Sequence, residues 1–193
     1  MKVVMHNDIL TSINQFEFYN SSLYGRPLRA HLKQSYLLCK KLGCSDMECI
    51  VALYHSFYGE LFGYESSGHP YADRATLQLL IGPKIEELVY LYNIIQAKQG
   101  LYDVVSEDKK SHLFWFESLI GKVGITSNQR KILVNVSATE TLEQVNYLVN
   151  VTKQYSIEKV APHIEKLGQY LELLHPKVQQ ELATATKRIS YVT

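Results

Sequence analysis

The chain has little of most features that would classify it quickly. Its 20 Lys and Arg against 19 Asp and Glu leave a net charge of +1, and no run of basic residues exceeds two. A row of phosphates would find no matching positive stripe, which excludes nucleic acid and anionic membrane as partners on electrostatic grounds. No apolar run approaches the roughly 20 residues needed to span a bilayer. The segment MKVVMHNDIL is too short in apolar residues for a signal peptide, so a cytoplasmic protein with no membrane partner is expected. The three cysteines, Cys39, Cys44 and Cys49, are odd in number and spaced by five. That fits neither a disulfide framework nor a common zinc spacing, and reduced thiols used for packing are expected. No Asn-Gly or Asp-Gly pair joins two alternating runs, so no hairpin is expected.

What the chain does have is apolar residues, 46% of the total, recurring three and four apart, the spacing of a buried helix face. A single domain over 1–193 suits this length. The stretch from Met47 to Gly63, MECIVALYHSFYGELFG, is apolar almost all round and opens on a capping box, Ser45 with Glu48, which predicts a buried central helix. Before it, a first helix is expected from about Asp8 to Tyr19 and a second from Pro27 to Gly43 along Leu28, Leu32, Leu38, Cys39 and Leu42. After it, YESSGHPY reads as a loop beside a pocket, Asp73 as the cap of a short helix closed by Gly82, and Pro83 as the start of the next.

The charged VVSEDKKSH reads as exposed, and LFWFESLIGKVG as either a helical turn or an irregular packed segment. A long helix is expected from Ser127, as cap, to about Asn150 with Val134, Ala138, Leu142, Val145 and Val149 in one stripe. On that wheel Asn135 falls about 60° from the stripe and Glu140 about 160°, which aims Asn135 inward and Glu140 away. A C-terminal hairpin over 156–193 follows: Ile157, Val160, Ile164, Leu167, Leu171 and Leu174 kinked at Pro162, then a last helix from Pro176 facing inward at Val178, Leu182, Ala185 and Ile189. The fold expected is all-α, about eight helices in one bundle.

Two histidines carry the chemical interest. His31 and His55 lie 24 residues apart on consecutive helices joined by the tight Gly43-Cys44-Ser45 turn, so they can meet at one end of a shared groove. Tyr54 and Tyr58 flank His55 and can donate hydrogen bonds, while Arg26, Arg29 and Arg74 can bind an anionic group. Glu60 follows His55 by five residues, beside Gly59, whose freedom permits a local distortion.

The segment LRAHLKQSYLLCKKLGCSDMECIVALYHSFYGELFG, followed by DRATLQLLIGPKIEELVYLY, resembles the HD-domain superfamily, in particular an uncharacterised branch with HS-x-YG in place of HD. The resemblance implies an HD-like helical core, over 28–150, and a pattern H…HD…D that binds divalent metal, commonly for phosphohydrolysis and in a minority for di-iron oxygenation. Carried over, His31 and His55 match the two histidines, Ser56 stands where the metal-binding aspartate belongs, and the final aspartate falls near Asn135 or at Glu140.

Hard cations are held mainly by anionic oxygen, so a His/His/Ser/Asn set predicts no metal; if one is bound, iron, manganese or zinc, then His31 and His55 hold it with Glu60 or Glu140. The function expected is an HD-derived enzyme acting on a small molecule through an altered or absent metal centre. His31, His55 and Tyr58 are its catalytic groups, and Arg29, Tyr54, Ser56, Glu60, Arg74 and Asn135 are near the substrate. The alternatives are a metal-dependent phosphohydrolase or oxygenase of the HD type and a non-catalytic ligand-binding protein. A monomer or homodimer is expected.

Overall fold

A computed structural model describes residues 6–16, 22–23, 25–58, 74–96, 101, 104, 106–108, 111–118, 120–149 and 157–190. Eight α-helices lie among them: α1 (His6–Ser12), α2 (Leu28–Lys41), α3 (Asp46–Tyr54), α4 (Arg74–Ile81), α5 (Pro83–Gln96), α6 (Ser127–Tyr147), α7 (Ile157–Gly168) and α8 (Pro176–Ser190). No helix among the described residues is long and apolar enough to cross a membrane.

Local chemistry sets several of the helix ends. Ser45 accepts from the Glu48 backbone N–H while the Glu48 carboxylate takes the Ser45 N–H, closing the box that starts α3. Such a cap is worth about 0.5–2 kcal/mol. Gly43 (φ +79°) and Gly82 (φ +85°) take the left-handed conformation after α2 and α4, where a side chain would be strained. The start of α6 is shifted by one from the expected Ser127: Thr126 is the cap and Gln129 its partner.

Two expectations about helices are corrected. Pro27 is not the first residue of α2 but its cap, after pairing with Ser22 in a two-stranded ladder, β1 (Ser22–Leu23) with β2 (Arg26–Pro27). The central helix ends at Tyr54 rather than running to Gly63, because the His55 ring Nδ1 takes the Ala52 carbonyl at 2.8 Å and so satisfies an acceptor that a helix end leaves unpaired. The expected stop at Gly63, the loop after it and the Asp73 cap lie outside the described residues. So do the expected helix end at Asn150 and the side chains of Ile157, Val160 and Ile189.

The fold is mostly helical but not all-α. Residues 106–126 form an antiparallel meander, β3 (Ser106–Asp108), β4 (Leu113–Ser118) and β5 (Gly121–Thr126), in the order 3-4-5. Ser118 pairs with Gly121, leaving a two-residue link. Its geometry comes from Gly121 (φ +103°) after the link and from the Ser118 hydroxyl, which accepts from the Ile120 N–H and donates to the Gly121 carbonyl. The Trp115 ring lies against Gly124, where a Cβ would come within 3.3 Å of it. Phe116 and Ile125 face the core.

At the centre is α6, which touches α2, α3, α5, α7, α8 and the meander. One face, Val134, Ala138, Leu142 and Val145, packs on Ile164, Leu167, Leu174, Val178, Leu182 and Ala185 of the C-terminal hairpin. Another, beginning Leu133 and Val136, faces the core built on α2, α3 and α5. Leu171, expected in the hairpin's inner stripe, is 43% exposed on a single 3₁₀ turn.

Candidate metal centre

The β1–β2 ladder delivers Arg26 and then, one turn into α2, His31 to the interior, where they are 8% and 1% exposed. The Arg26 guanidinium meets Glu143 of α6 through two nitrogens, each 2.5 Å from one carboxylate oxygen, and lies 3.8 Å over the Tyr147 ring. His31 Nδ1 is 2.5 Å from Glu143 Oε2. Burial alone would raise the Glu143 carboxyl, but the hydrogen bonds from His31 and Arg26 outweigh it and hold the group below its ordinary value. An ionised carboxylate accepts, so His31 donates to it through Nδ1, and the neutral ring, the form that ligates a metal, then presents Nε2 as a lone pair. That Nε2 is buried and has no hydrogen-bond partner among the described residues.

His55 is prepared in the same way by a different group. Its Nδ1–H donates to the Ala52 carbonyl, which leaves Nε2 the acceptor. Burial pushes its pKa down, more than the neighbouring Glu140 charge draws it up, so the ring is held neutral. The two imidazoles stand edge to face with centroids 5.2 Å apart, and Tyr92 lies 5.7 Å from His55 on the other side.

Both lone pairs look toward Glu140, one helical turn before Glu143. Its Oε1 is 3.8 Å from His31 Nε2 and 3.9 Å from His55 Nε2. The Tyr92 hydroxyl donates to its Oε2 at 3.2 Å, and Gln144 donates to Oε1. The separations are too long for hydrogen bonds. They are close to what a shared ion requires, since donors about 2.1 Å from one cation at the tetrahedral angle stand about 3.4 Å apart. The three ligand atoms lie within 4.8 Å of one another. A second carboxylate orienting a ligating imidazole, as Glu143 orients His31, is the usual outer partner of such a centre. The donors border a pocket of about 210 Å³ walled by Leu23 and Leu28 and edged by Ser56, Tyr92, Asn93, Gln96 and Gln144.

The residues expected at the site divide sharply. His31, His55, Ser56 and Glu140 come together on this pocket. Tyr58 does not: its hydroxyl donates to Glu86 at 2.6 Å, and neither residue borders the pocket. Arg74 donates to both oxygens of the same Glu86, at 2.7 and 2.8 Å, and lies over the Tyr90 ring. Tyr54 is fully buried with its hydroxyl 2.5 Å from Ser12 Oγ, and burial pushes its pKa up to about 12.

Arg29 is half-buried on α2 and does not border the pocket. Asn135 faces away from it, donating to the Lys131 and Leu173 carbonyls and accepting from the His175 N–H, so it fastens the C-terminal segment. Glu60 lies outside the described residues.

The wheel aimed Asn135 inward, and it is buried, though against the C-terminal segment rather than the pocket; it misplaced Glu140 because it granted α6 one buried face, whereas this helix is buried from Leu133 to Thr139 without a break. Glu143, Tyr92 and Gln144 are site residues beyond those expected, and Arg26, expected to bind an anionic group, is instead the partner of Glu143. The available signal was the second stripe Leu133, Val136, Glu140, Glu143, whose helical spacing puts two acids on an otherwise apolar face.

Comparison with known proteins adds one match. The family model of a domain of unknown function (DUF6817) matches residues 20–97, a segment that holds Arg26, His31, His55 and Tyr92 and stops short of the two carboxylates on α6. No curated protein and no solved structure matches the chain.

Proposed function

We propose that the protein is an HD-derived enzyme acting on a small, uncharged molecule, with an altered metal centre in which His31, His55 and Glu140 hold one divalent cation of the iron, manganese or zinc type. The observation that carries this reading is the convergence of two Nε2 lone pairs, each fixed by what its Nδ1–H is bonded to, on one carboxylate that neither reaches by hydrogen bond. The sequence resemblance supports it. Two histidines occupy the expected places, Ser56 replaces the first aspartate, and Glu140 supplies the charge that Asn135 lacks.

A cation held by His31, His55 and Glu140 would supply Lewis acidity to this pocket. The chain's own groups do the remaining work. Glu143 and the Ala52 carbonyl hold the imidazoles in one tautomer, Tyr92 and Gln144 orient Glu140, and Leu23 and Leu28 keep bulk water from the ligands. The Gln96 amide, whose Oε1 has no hydrogen-bond partner among the described residues, is available to bond the substrate, whereas the Asn93 amide already donates to the Val89 carbonyl.

A pocket of about 210 Å³ is small for a nucleotide, and its described lining includes no Lys or Arg to pair with a phosphate. Arg26 is close but committed to Glu143.

Elemental analysis of protein purified without added metal or chelator tests the centre. Bound iron, manganese or zinc is expected, falling by about one equivalent per chain in His55→Ala and in Glu140→Ala. Unchanged metal content in both variants overturns it. A second reading, metal-free acid–base catalysis by the same histidines, is favoured by the neutral state that burial imposes on His55. It gains if a substrate is turned over equally well after complete removal of metal.

A further inference from the structure

We propose that Cys44, Glu48 and His175 form a second metal site, for a borderline divalent cation of the zinc type, which clamps the C-terminal hairpin onto the start of α3. Their ligand atoms, one sulfur, one carboxylate oxygen and one ring nitrogen, lie within 4.8 Å of one another. They come from two segments, the turn into α3 with Cys44 and Glu48 and, 127 residues after Glu48, His175, and each residue is also held by bonds of its backbone or of a second side-chain atom. Cys44 sits in the turn after Gly43 with its N–H on the Cys39 carbonyl at 3.0 Å. His175 is anchored by its N–H on Asn135 Oδ1 at 2.9 Å, and Asn135 also bonds the Leu173 carbonyl.

Glu48 is the buried member, 3% exposed. Its Oε2 takes the N–H and hydroxyl of Ser45 at 2.7 Å each, which leaves Oε1 with His175 alone. The His175 Nε2 stands 3.1 Å from both oxygens. The two groups form a direct ion pair here, which a cation bound between ring and carboxylate would replace.

Thiolate, imidazole and carboxylate together match zinc and its neighbours rather than calcium or magnesium. With the His175 side chain 29% exposed, the ion can enter from solvent, which supplies the fourth donor. The site is distinct from the His31–His55–Glu140 centre, since Glu48 and His55 are separated by about 10 Å along the chain at 1.5 Å per residue.

The test uses the full chain carrying His55→Ala, so that the other centre contributes nothing. Titration with Co²⁺ is expected to give a thiolate-to-cobalt charge-transfer band that saturates near one equivalent, is displaced by Zn²⁺, disappears in Cys44→Ser and persists in Cys49→Ala. No band, a band that survives Cys44→Ser, or one that Cys49→Ala also removes overturns the assignment. The unmutated protein gives an independent measure: stoichiometric Zn²⁺ should slow alkylation of Cys44, read by mass spectrometry, by about tenfold or more. An unchanged rate means that His175 and Glu48 make only an ion pair, and overturns the site.

Discussion

Glu86 and Glu140 are both carboxylates carried into the interior by helices, and their surroundings treat them oppositely. Glu86, fully buried, accepts from the Tyr58 hydroxyl, from Arg74 through two nitrogens and from Gln78, at 2.6 to 2.8 Å. Burial by itself would raise its carboxyl, and these bonds bring it below the ordinary value instead. Glu140 receives Tyr92 and Gln144 but faces two imidazole lone pairs across gaps of 3.8 and 3.9 Å that nothing described fills.

The first cluster is balanced, donor for acceptor, and closes on itself. The second has acceptors in excess, a debt that only a cation or a proton can settle. Residue type does not separate them: a Tyr, an Arg and a Glu look as catalytic in a sequence as two His and a Glu.

Four measurements would break or sharpen this contrast. The largest effect is expected at the unbalanced cluster: Glu140→Ala should weaken metal binding more than a hundredfold, beyond the 10–100-fold that loss of an outer partner costs, while leaving thermal stability of metal-free protein nearly unchanged. A large loss of stability without metal would mean that Glu140 is structural, like Glu86. Second, Glu86→Ala should cost about 3 kcal/mol, because it strands the Tyr58 hydroxyl and the Arg74 guanidinium. Denaturant unfolding reads this, and metal content should not move. Third, Glu143→Gln should lower metal affinity about 10–100-fold by releasing His31 from its tautomer; affinity equal to wild type would remove Glu143 from the centre.

The smallest effect is in pH. A depressed folded-state pKa means that the Glu86 contribution is fully present above the unfolded-state value, about 4.3, and is lost as pH falls through the folded value. Glu86→Gln should therefore lose less stability than wild type on acidification from about pH 5 to pH 3. Parallel curves for the two proteins would show that Glu86 is no better paired folded than unfolded.

Some of this was legible in the residues. The S-x-x-E at Ser45, the glycines at 43 and 82 and the prolines at 83 and 176 marked helix ends correctly, because a cap or a left-handed turn is decided by groups a few residues apart. The meander was missed for a related reason. Its tight link has Leu119 and Ile120 where Asn and Gly are usual, and the bonds of the Ser118 hydroxyl shape the turn.

The sequence by itself determined the helix ends marked by Gly43, Ser45, Gly82, Pro83 and Pro176, and that His31 and His55 belong to neighbouring helices, His55 as the C-cap of its own, since those outcomes follow from local dihedrals, local hydrogen bonds and apolar spacing. Only the tertiary structure decided which carboxylates answer them. Glu143 is 112 residues from His31, on a helix buried on two faces, and whether an acid on such a helix is paired, orphaned or exposed depends on which neighbour packs on each face. The same holds for Tyr58 and Arg74, whose partner Glu86 lies on another helix. A polar side chain takes its role from the balance of donors and acceptors around it, and packing sets that balance.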